Sequence, residues 1–244
     1  MNDALKGLKI FADGADLDSL LALAEKPYIT GFTTNPTLMR KAGVTDYPGF
    51  AREVLRHIAD RPISFEVFAD DLSGMRAQAL EIASWGPNVY VKIPITNTAG
   101  LSTAEITREL SSEGVQVNVT ALMTLAQVEE TVAAVADGAP SCISLFAGRI
   151  ADTGVDPVPM VREAVEALKG APRAELIWAS PREVLNIVQA AEAGCHIITV
   201  THDLLAKLGG LGKDLHVFSL ETVQMFHDDA AASGLSLEPA SSRA

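Results

Sequence analysis

Two cysteines are too few to build a disulfide framework. Cys142 and Cys195 each lie in an apolar stretch, so both are expected as buried thiols in a reducing compartment. Positive charge is also scarce. Nineteen Lys and Arg stand against 31 Asp and Glu, a formal net charge of −12. That balance argues against a nucleic-acid-binding surface but leaves room for a local cationic pocket. No apolar run reaches the length of a membrane span. The opening MNDALKGLKI has no long apolar core with a small-residue cleavage site, so no signal peptide and a cytoplasmic location are expected. No Pro/Gly/Ser-rich linker splits the chain. GxGxxG and GxxxxGK[ST] phosphate loops are absent, as is a GxSxG elbow. The histidines, His57, His196, His202, His216 and His227, show no HExxH or other metal-ligand pairing, and His202 reads as a surface residue just beyond the last strand. Neither a cofactor nor a metal is expected.

The 244 residues exceed the commonest domain size, but α/β barrels routinely run this long as one domain. Short apolar, β-branched runs recur along them: LKIFAD, TGFTTN, ISFEVFA, VYVKIPI, VQVNVTA, CISLFAG, ELIWAS and HIITVT. Segments with helical spacing lie between them, among them YPGFAREVLRHIAD, SGMRAQALEIASW and LAQVEETVAAVAD, and SLETVQMFHDDAAASG closes the series. Strands alternating with helices imply parallel βαβ units. Eight such units predict a single α/β domain over residues 1–235, a (β/α)₈ TIM barrel with an extra C-terminal helix and a flexible tail at 236–244. A doubly wound open sheet is the alternative, since periodicity does not show closure.

Side chains of a barrel strand alternate between the helices and the lumen. In the fifth strand Val115, Val117, Val119 and Ala121 form the apolar set, which leaves Asn118 and Thr120 inward. In NVYVKIPIT, Val89, Val91, Ile93 and Ile95 face out, which turns Tyr90, Lys92 and Pro94 in. The same parity turns in Asp13, Thr33 with Asn35, Glu66, and Cys142 with Ser144 and Phe146. In the seventh strand it predicts Trp178 and Ser180 inward, opposite Ile177 and Ala179. A lone lumen Asn or Thr is ordinarily a packing residue, and Glu66 with Lys92 could form a plain buried ion pair. Such a pair adds little stability over a hydrophobic alternative. Asp13, Asn35, Glu66, Lys92, Asn118, Thr120, Ser144 and Ser180 together, eight polar groups on seven strands, exceed what packing needs.

Lys92 is the centre of that set. Desolvation disfavours an ammonium and frees the amine. A free amine attacks a ketone to give a Schiff base, whose iminium stabilises a carbanion at the neighbouring carbon. A carbon–carbon bond then breaks or forms without a metal. Glu66 and Asp13 are carboxyls suited to moving the protons. Asn35, Asn118 and Ser144 are suited to hydrogen-bonding substrate hydroxyls.

The stretches FADGAD, GFTTNPTL, FEVFAD, VYVKIPIT, VNVTALMT, SLFAGRI and IWAS resemble the transaldolase family, in family order and over nearly the whole chain. TTNP early with VKIP mid-chain is a specific combination. The length is similar to that of the small transaldolase and fructose-6-phosphate-aldolase-like branch. The resemblance implies Lys92 as the Schiff-base lysine and Asp13 as the group assisting bond cleavage. Glu66 would exchange protons through a water that Thr120 helps to hold. Asn35, Asn118 and Ser144 would bind the dihydroxyacetone part, with Thr33 and Phe146 also at the substrate site. Arg149, in GRI, would hold a sugar phosphate with help from Ser180. The implied partners are small sugar phosphates and further copies of the chain, since small members often assemble through their C-terminal helix. Neither nucleic acid nor membrane is expected.

The small aldolases carry Gln where Glu66 stands and Tyr where Phe146 stands, so the resemblance favours transfer of the three-carbon unit over its release. Release as free dihydroxyacetone is the alternative, and a sugar-binding barrel without catalysis is a further one. The chain departs from the family after the seventh strand. IWASPREV brings Pro181 at once, and Arg182 matches the second phosphate contact only loosely. An unusual sugar, or one without a phosphate at that end, stays open.

Overall fold

The computed structural model describes Leu5 and residues 7–235. By its internal contacts the chain divides into two compact units, Met1–Ala206 and Lys207–Ala244. The tail expected at 236–244 lies outside the described residues.

The first unit contains eight strands: β1 Lys9–Asp13, β2 Ile29–Thr33, β3 Ile63–Glu66, β4 Val89–Pro94, β5 Val117–Leu122, β6 Ser141–Leu145, β7 Ala174–Trp178 and β8 Ile197–Thr201. All pair in parallel with their sequence neighbours, and β8 closes on β1. The result is a (β/α)₈ TIM barrel, with a closed sheet rather than the open one that periodicity had also allowed. The intervening helices are α1 Leu17–Ala24, α2 Pro36–Lys41, α3 Tyr47–His57, α4 Leu72–Ala83, α5 Ala104–Ser112, α6 Leu125–Val135, α7 Ala147–Asp152, α8 Val158–Ala167, α9 Leu185–Glu192 and α10 His202–Leu205. In the second unit, α11 spans Leu215–Ser233, capped by Asp214 and ended by Gly234 at φ 66°. No described helix is long and apolar enough to cross a membrane.

Short polar residues start many of the helices. The side chains of Asp16, Asn35, Asp46, Asp71 and Thr124 each accept a backbone N–H of the first turn. Asn35 is the informative one. TGFTTN reads as strand to its last residue, yet β2 stops at Thr33, and Asn35 caps a helix with Pro36 in its first turn. CISLFAG behaves alike: β6 stops at Leu145 and Phe146 opens α7.

The helix-facing parity holds as predicted on most strands, with Phe32, Phe65, Val91, Ile93, Val119 and Ile143 nearly or fully buried. The seventh strand corrects the prediction. Ile177 and Ala179 face the lumen, where they pack with Phe11, Cys142 and Ile197. Trp178 pairs in register with Leu145 and Ile198 on the helix side. It is fully buried there, which suits a large ring better than a narrow lumen does. Phe11 needs Gly31 beside it, because a Cβ at that position would lie 2.5 Å from the ring. Both cysteines are buried and unpaired, and burial pushes their thiols well above the usual range.

Candidate active site

A cavity of about 590 Å³ opens at the C-terminal ends of the strands. That is the end at which TIM barrels carry their active sites. Asp13, Thr33, Asn35, Glu66, Lys92, Thr120, Ser144, Phe146, Arg149 and Ser180 all line it. Asn118 does not. It is fully buried, and donates from Nδ2 to Ser64 Oγ at 2.9 Å while its Oδ1 accepts from Ser144 Oγ at 2.7 Å. Asn118 therefore aims Ser144 rather than meeting the cavity itself.

Glu66 and Lys92 are in-register neighbours on β3 and β4, so their side chains share the lumen face. Lys92 Nζ lies 3.4 Å from Glu66 Oε2 and donates to the Thr34 carbonyl at 3.0 Å. Its side chain is only 9% exposed. Asp13 sits at the end of β1, where Oδ1 accepts from Thr33 Oγ1 at 2.8 Å and Oδ2 from Asn35 Nδ2 at 3.4 Å. Asn35 thus serves α2 with its oxygen and Asp13 with its nitrogen.

Both carboxyls are held above the ordinary carboxylate range. For Asp13, burial outweighs the pull of the Lys92 charge and of the hydrogen bonds from Thr33 and Asn35. For Glu66, burial outweighs the charge and hydrogen bond of Lys92, and the Asp13 charge adds to the rise. Two carboxyls that hold protons more tightly than usual, beside a buried amine, are groups suited to acid–base work. Thr120 Oγ1 is buried with no hydrogen-bond partner among the described residues, on the cavity wall.

The rim depends on two left-handed turns at non-glycine residues, Ala121 at φ 66° and Ser180 at φ 58°. The β5–β6 register shifts between Val119 and Leu122, so Ala121 leaves its helix-facing parity and lines the cavity. Ser180 follows the end of β7, and its turn brings it to the cavity although its strand parity was misread. Gly148 presses against it: a Cβ there would lie 1.6 Å from the Ser180 carbonyl oxygen. Arg149 lies with its guanidinium 5.5 Å from the centre of the Phe146 ring. Arg182 also lines the mouth, but its fork is held by Asp152, with Nε donating to Oδ1 at 2.9 Å. His202 is exposed at the start of α10.

Sequence reasoning missed Ser64, Thr199 and Lys41. Ser64 carries the parity of Glu66 two residues earlier, and that signal was readable. Thr199 shares a hydrogen bond with Thr33, continuing the chain that ends on Asp13. Lys41 reaches the cavity from the end of α2, a helix hidden in an expected strand-to-loop passage.

Comparison with known proteins bears on the fold and on the family. The barrel resembles solved structures at low identity, which bears on the fold alone. One is a putative phosphonomutase from Burkholderia cenocepacia, at TM-score 0.54 and 13% identity, covering 91% of this chain and 94% of that one. Another is dihydrodipicolinate synthase from Rhodopseudomonas palustris, at TM-score 0.55 and 14% identity, covering 80% and 70%. Curated relatives are nearer. A probable transaldolase of Thermoanaerobacter is 32% identical over 231 residues, 94% of this chain and all of its own. Probable transaldolases of Dehalococcoides mccartyi and Clostridium acetobutylicum are 35% and 37% identical, each over 82% of this chain and about nine-tenths of their own. The family profile described as Transaldolase/Fructose-6-phosphate aldolase matches residues 10–241. With the barrel closed and the lysine–carboxyl centre at its mouth, the chain belongs to the transaldolase/fructose-6-phosphate aldolase family.

Proposed function

We propose that this protein is a Schiff-base transaldolase that moves a dihydroxyacetone unit from a ketose phosphate, such as fructose 6-phosphate, to an aldose acceptor such as erythrose 4-phosphate. The observation that carries the reading is the Lys92 amine, buried in a lumen cavity 3.4 Å from the Glu66 carboxyl.

Lys92 Nζ attacks the ketone carbon, and loss of water leaves an iminium. Asp13 takes the proton of the hydroxyl on the carbon that will leave. The carbon–carbon bond breaks, its electron pair moves toward the iminium, and an aldehyde departs. The three-carbon enamine on Lys92 then attacks the acceptor aldehyde, Asp13 returns the proton, and water releases the new ketose. Glu66 moves protons during formation and hydrolysis of the iminium, through a water held with Thr120. Burial raises both carboxyls above the ordinary range, which moves them toward the operating pH at which a proton carrier is most efficient.

Thr33 and Asn35 orient Asp13, and Asn35 and Ser144 meet the hydroxyls of the three-carbon unit, with Asn118 behind Ser144. Arg149 and Ser180 receive the phosphate. Arg182 contributes less, being bound to Asp152. Phe146 carries no hydroxyl to help protonate and free the three-carbon unit, which favours transfer over release. The reaction needs no cofactor in this account. Assembly with further copies belongs to the same proposal: Leu215, Val217, Phe218, Leu220, Val223, Met225 and Phe226 of α11 are all at least half exposed, an apolar display that calls for a partner. A cytoplasmic location is the matching expectation.

The test is turnover of fructose 6-phosphate with and without erythrose 4-phosphate. Rapid conversion only with the acceptor is expected. Rapid release of dihydroxyacetone without it would replace transfer by aldol cleavage, and no conversion of any ketose would point to a sugar-binding barrel.

A further inference from the structure

The pairing between β2 and β3 is short, and it ends just before Glu66. Only Phe32↔Ile63 and Thr33↔Ser64 are in register there. The Thr34 N–H and hydroxyl both donate to the Ser64 carbonyl, at 3.2 and 2.8 Å, and then β2 turns away into α2. In a parallel sheet the backbone groups of alternate residues face the same neighbour, so the N–H and C=O of Glu66, like those of Ser64, point at β2. β2 no longer runs beside them. On the other side, β4 still serves β3, with Val67 N–H donating to the Lys92 carbonyl at 3.1 Å.

The Tyr47 hydroxyl fills that gap. It accepts the Glu66 N–H at 2.7 Å and donates to the Glu66 carbonyl at 3.0 Å. One side-chain oxygen thereby makes both bonds that a strand would have made. The ring is fixed on three sides. Its centre lies 4.6 Å from that of Phe68, 5.3 Å from Trp85 and 6.1 Å from Phe65, the last two edge-on. Its backbone is the first residue of α3, behind the Asp46 cap. Burial pushes the phenol above its ordinary range, so it stays protonated and keeps its donor.

We infer that Tyr47 is a positioning residue for the reaction: its hydroxyl completes the β2 side of the ladder at Glu66 and so sets the place of the Glu66 carboxyl against Lys92. The inference rests on the reading of Glu66 as the proton carrier. A proton carrier must lie within hydrogen-bond reach of its target, and a displacement of about 1 Å can slow catalysis roughly a hundredfold. Removing the hydroxyl frees both backbone groups of Glu66, at the last residue of its strand, from their anchor.

The test uses the full-length protein with Tyr47→Phe, which keeps the ring and removes the oxygen. Expected is a fall in kcat of about ten- to a hundredfold with KM little changed, while borohydride still traps the ketose on Lys92. The decisive comparison is the double variant. If Tyr47 acts through Glu66, adding Tyr47→Phe to Glu66→Gln slows the enzyme no further. Equal slowing in both backgrounds would show a general structural role and overturn the inference, as would an unchanged kcat in the single variant. Placing 4-aminophenylalanine at position 47 restores the donor to the Glu66 carbonyl on the same ring, though only a weak acceptor for the Glu66 N–H, and so tests the point even if the Phe variant folds poorly. A rate between those of the Phe variant and wild type is expected, and a rate no higher than that of the Phe variant counts against it. Failure of the wild-type protein to trap any ketose on Lys92 would remove the proposed function and this inference with it. Normal wild-type transfer with an indifferent Tyr47 would remove this inference alone.

Discussion

Glu66 and Lys92 face each other across the β3–β4 ladder, with Oε2 3.4 Å from Nζ in a site almost closed to water. A pair so placed gains little stability over apolar residues of the same size. In the proposed reaction its position at the mouth of the barrel, joined by Asp13, gives it a chemical use instead.

Glu66→Gln keeps the shape and removes the proton carrier. kcat should fall roughly a hundredfold or more, measured by acceptor-dependent transfer. The same variant has a signature in stability. Glu66 is held above its unfolded value, so the folded state binds the proton more tightly than the unfolded chain does. Its contribution is most favourable at acid pH and is lost as pH rises from the unfolded value through the raised folded one. Melting temperature compared with wild type should therefore favour Glu66→Gln more at pH 8 than at pH 4. A constant difference would contradict the raised affinity.

Phe146→Tyr adds a phenol at the cavity wall beside Arg149. Release of dihydroxyacetone without an acceptor should rise about tenfold or more, the low end of what one positioned acid contributes being larger still. No change in acceptor-independent release would count against the role given to this position.

Arg149→Ala should raise KM for phosphorylated sugars roughly ten- to a hundredfold, the worth of one or two charge-assisted hydrogen bonds. Arg182→Ala should matter much less, since Asp152 already holds that guanidinium at the surface. The reverse order of effects would move the phosphate to Arg182. No effect from either would favour a sugar with no phosphate at that end.

Gly148→Ala places a methyl group 1.6 Å from the Ser180 carbonyl oxygen, which backbone must move to relieve. A loss of about 1–3 kcal/mol in denaturant unfolding is expected. Because Ser180 moves with it, KM for phosphorylated sugars should rise as well. A neutral result in both would show that the α7–β7 contact does not hold the rim.

Much of this site was legible in sequence because strands alternate. Val89, Val91 and Ile93 read as a helix-facing row, and Lys92 among them had to face inward. Parity failed where the backbone left the strand. Ala121 and Ser180 take left-handed turns, so their directions no longer follow from counting by two. In β7 the polar Ser180 suggested that its whole set faced inward, but Ile177 and Ala179 hold that place and Trp178 lies among the helices. Asn35 and Phe146 read as strand residues, since the six-residue helices they begin are too short to show a period. Tyr47 was not legible at all. Its partner, the backbone of Glu66, is defined only once β2 has turned aside and α3 has packed over the gap.

The most direct measurement is borohydride reduction of the protein mixed with fructose 6-phosphate, followed by peptide mass spectrometry. The account predicts a dihydroxyacetone-sized, three-carbon addition on Lys92, absent from Lys92→Ala, whose far-UV spectrum stays that of a folded barrel and whose transfer rate falls by about four orders of magnitude or more. An adduct on another lysine, or full transfer by Lys92→Ala, would contradict it.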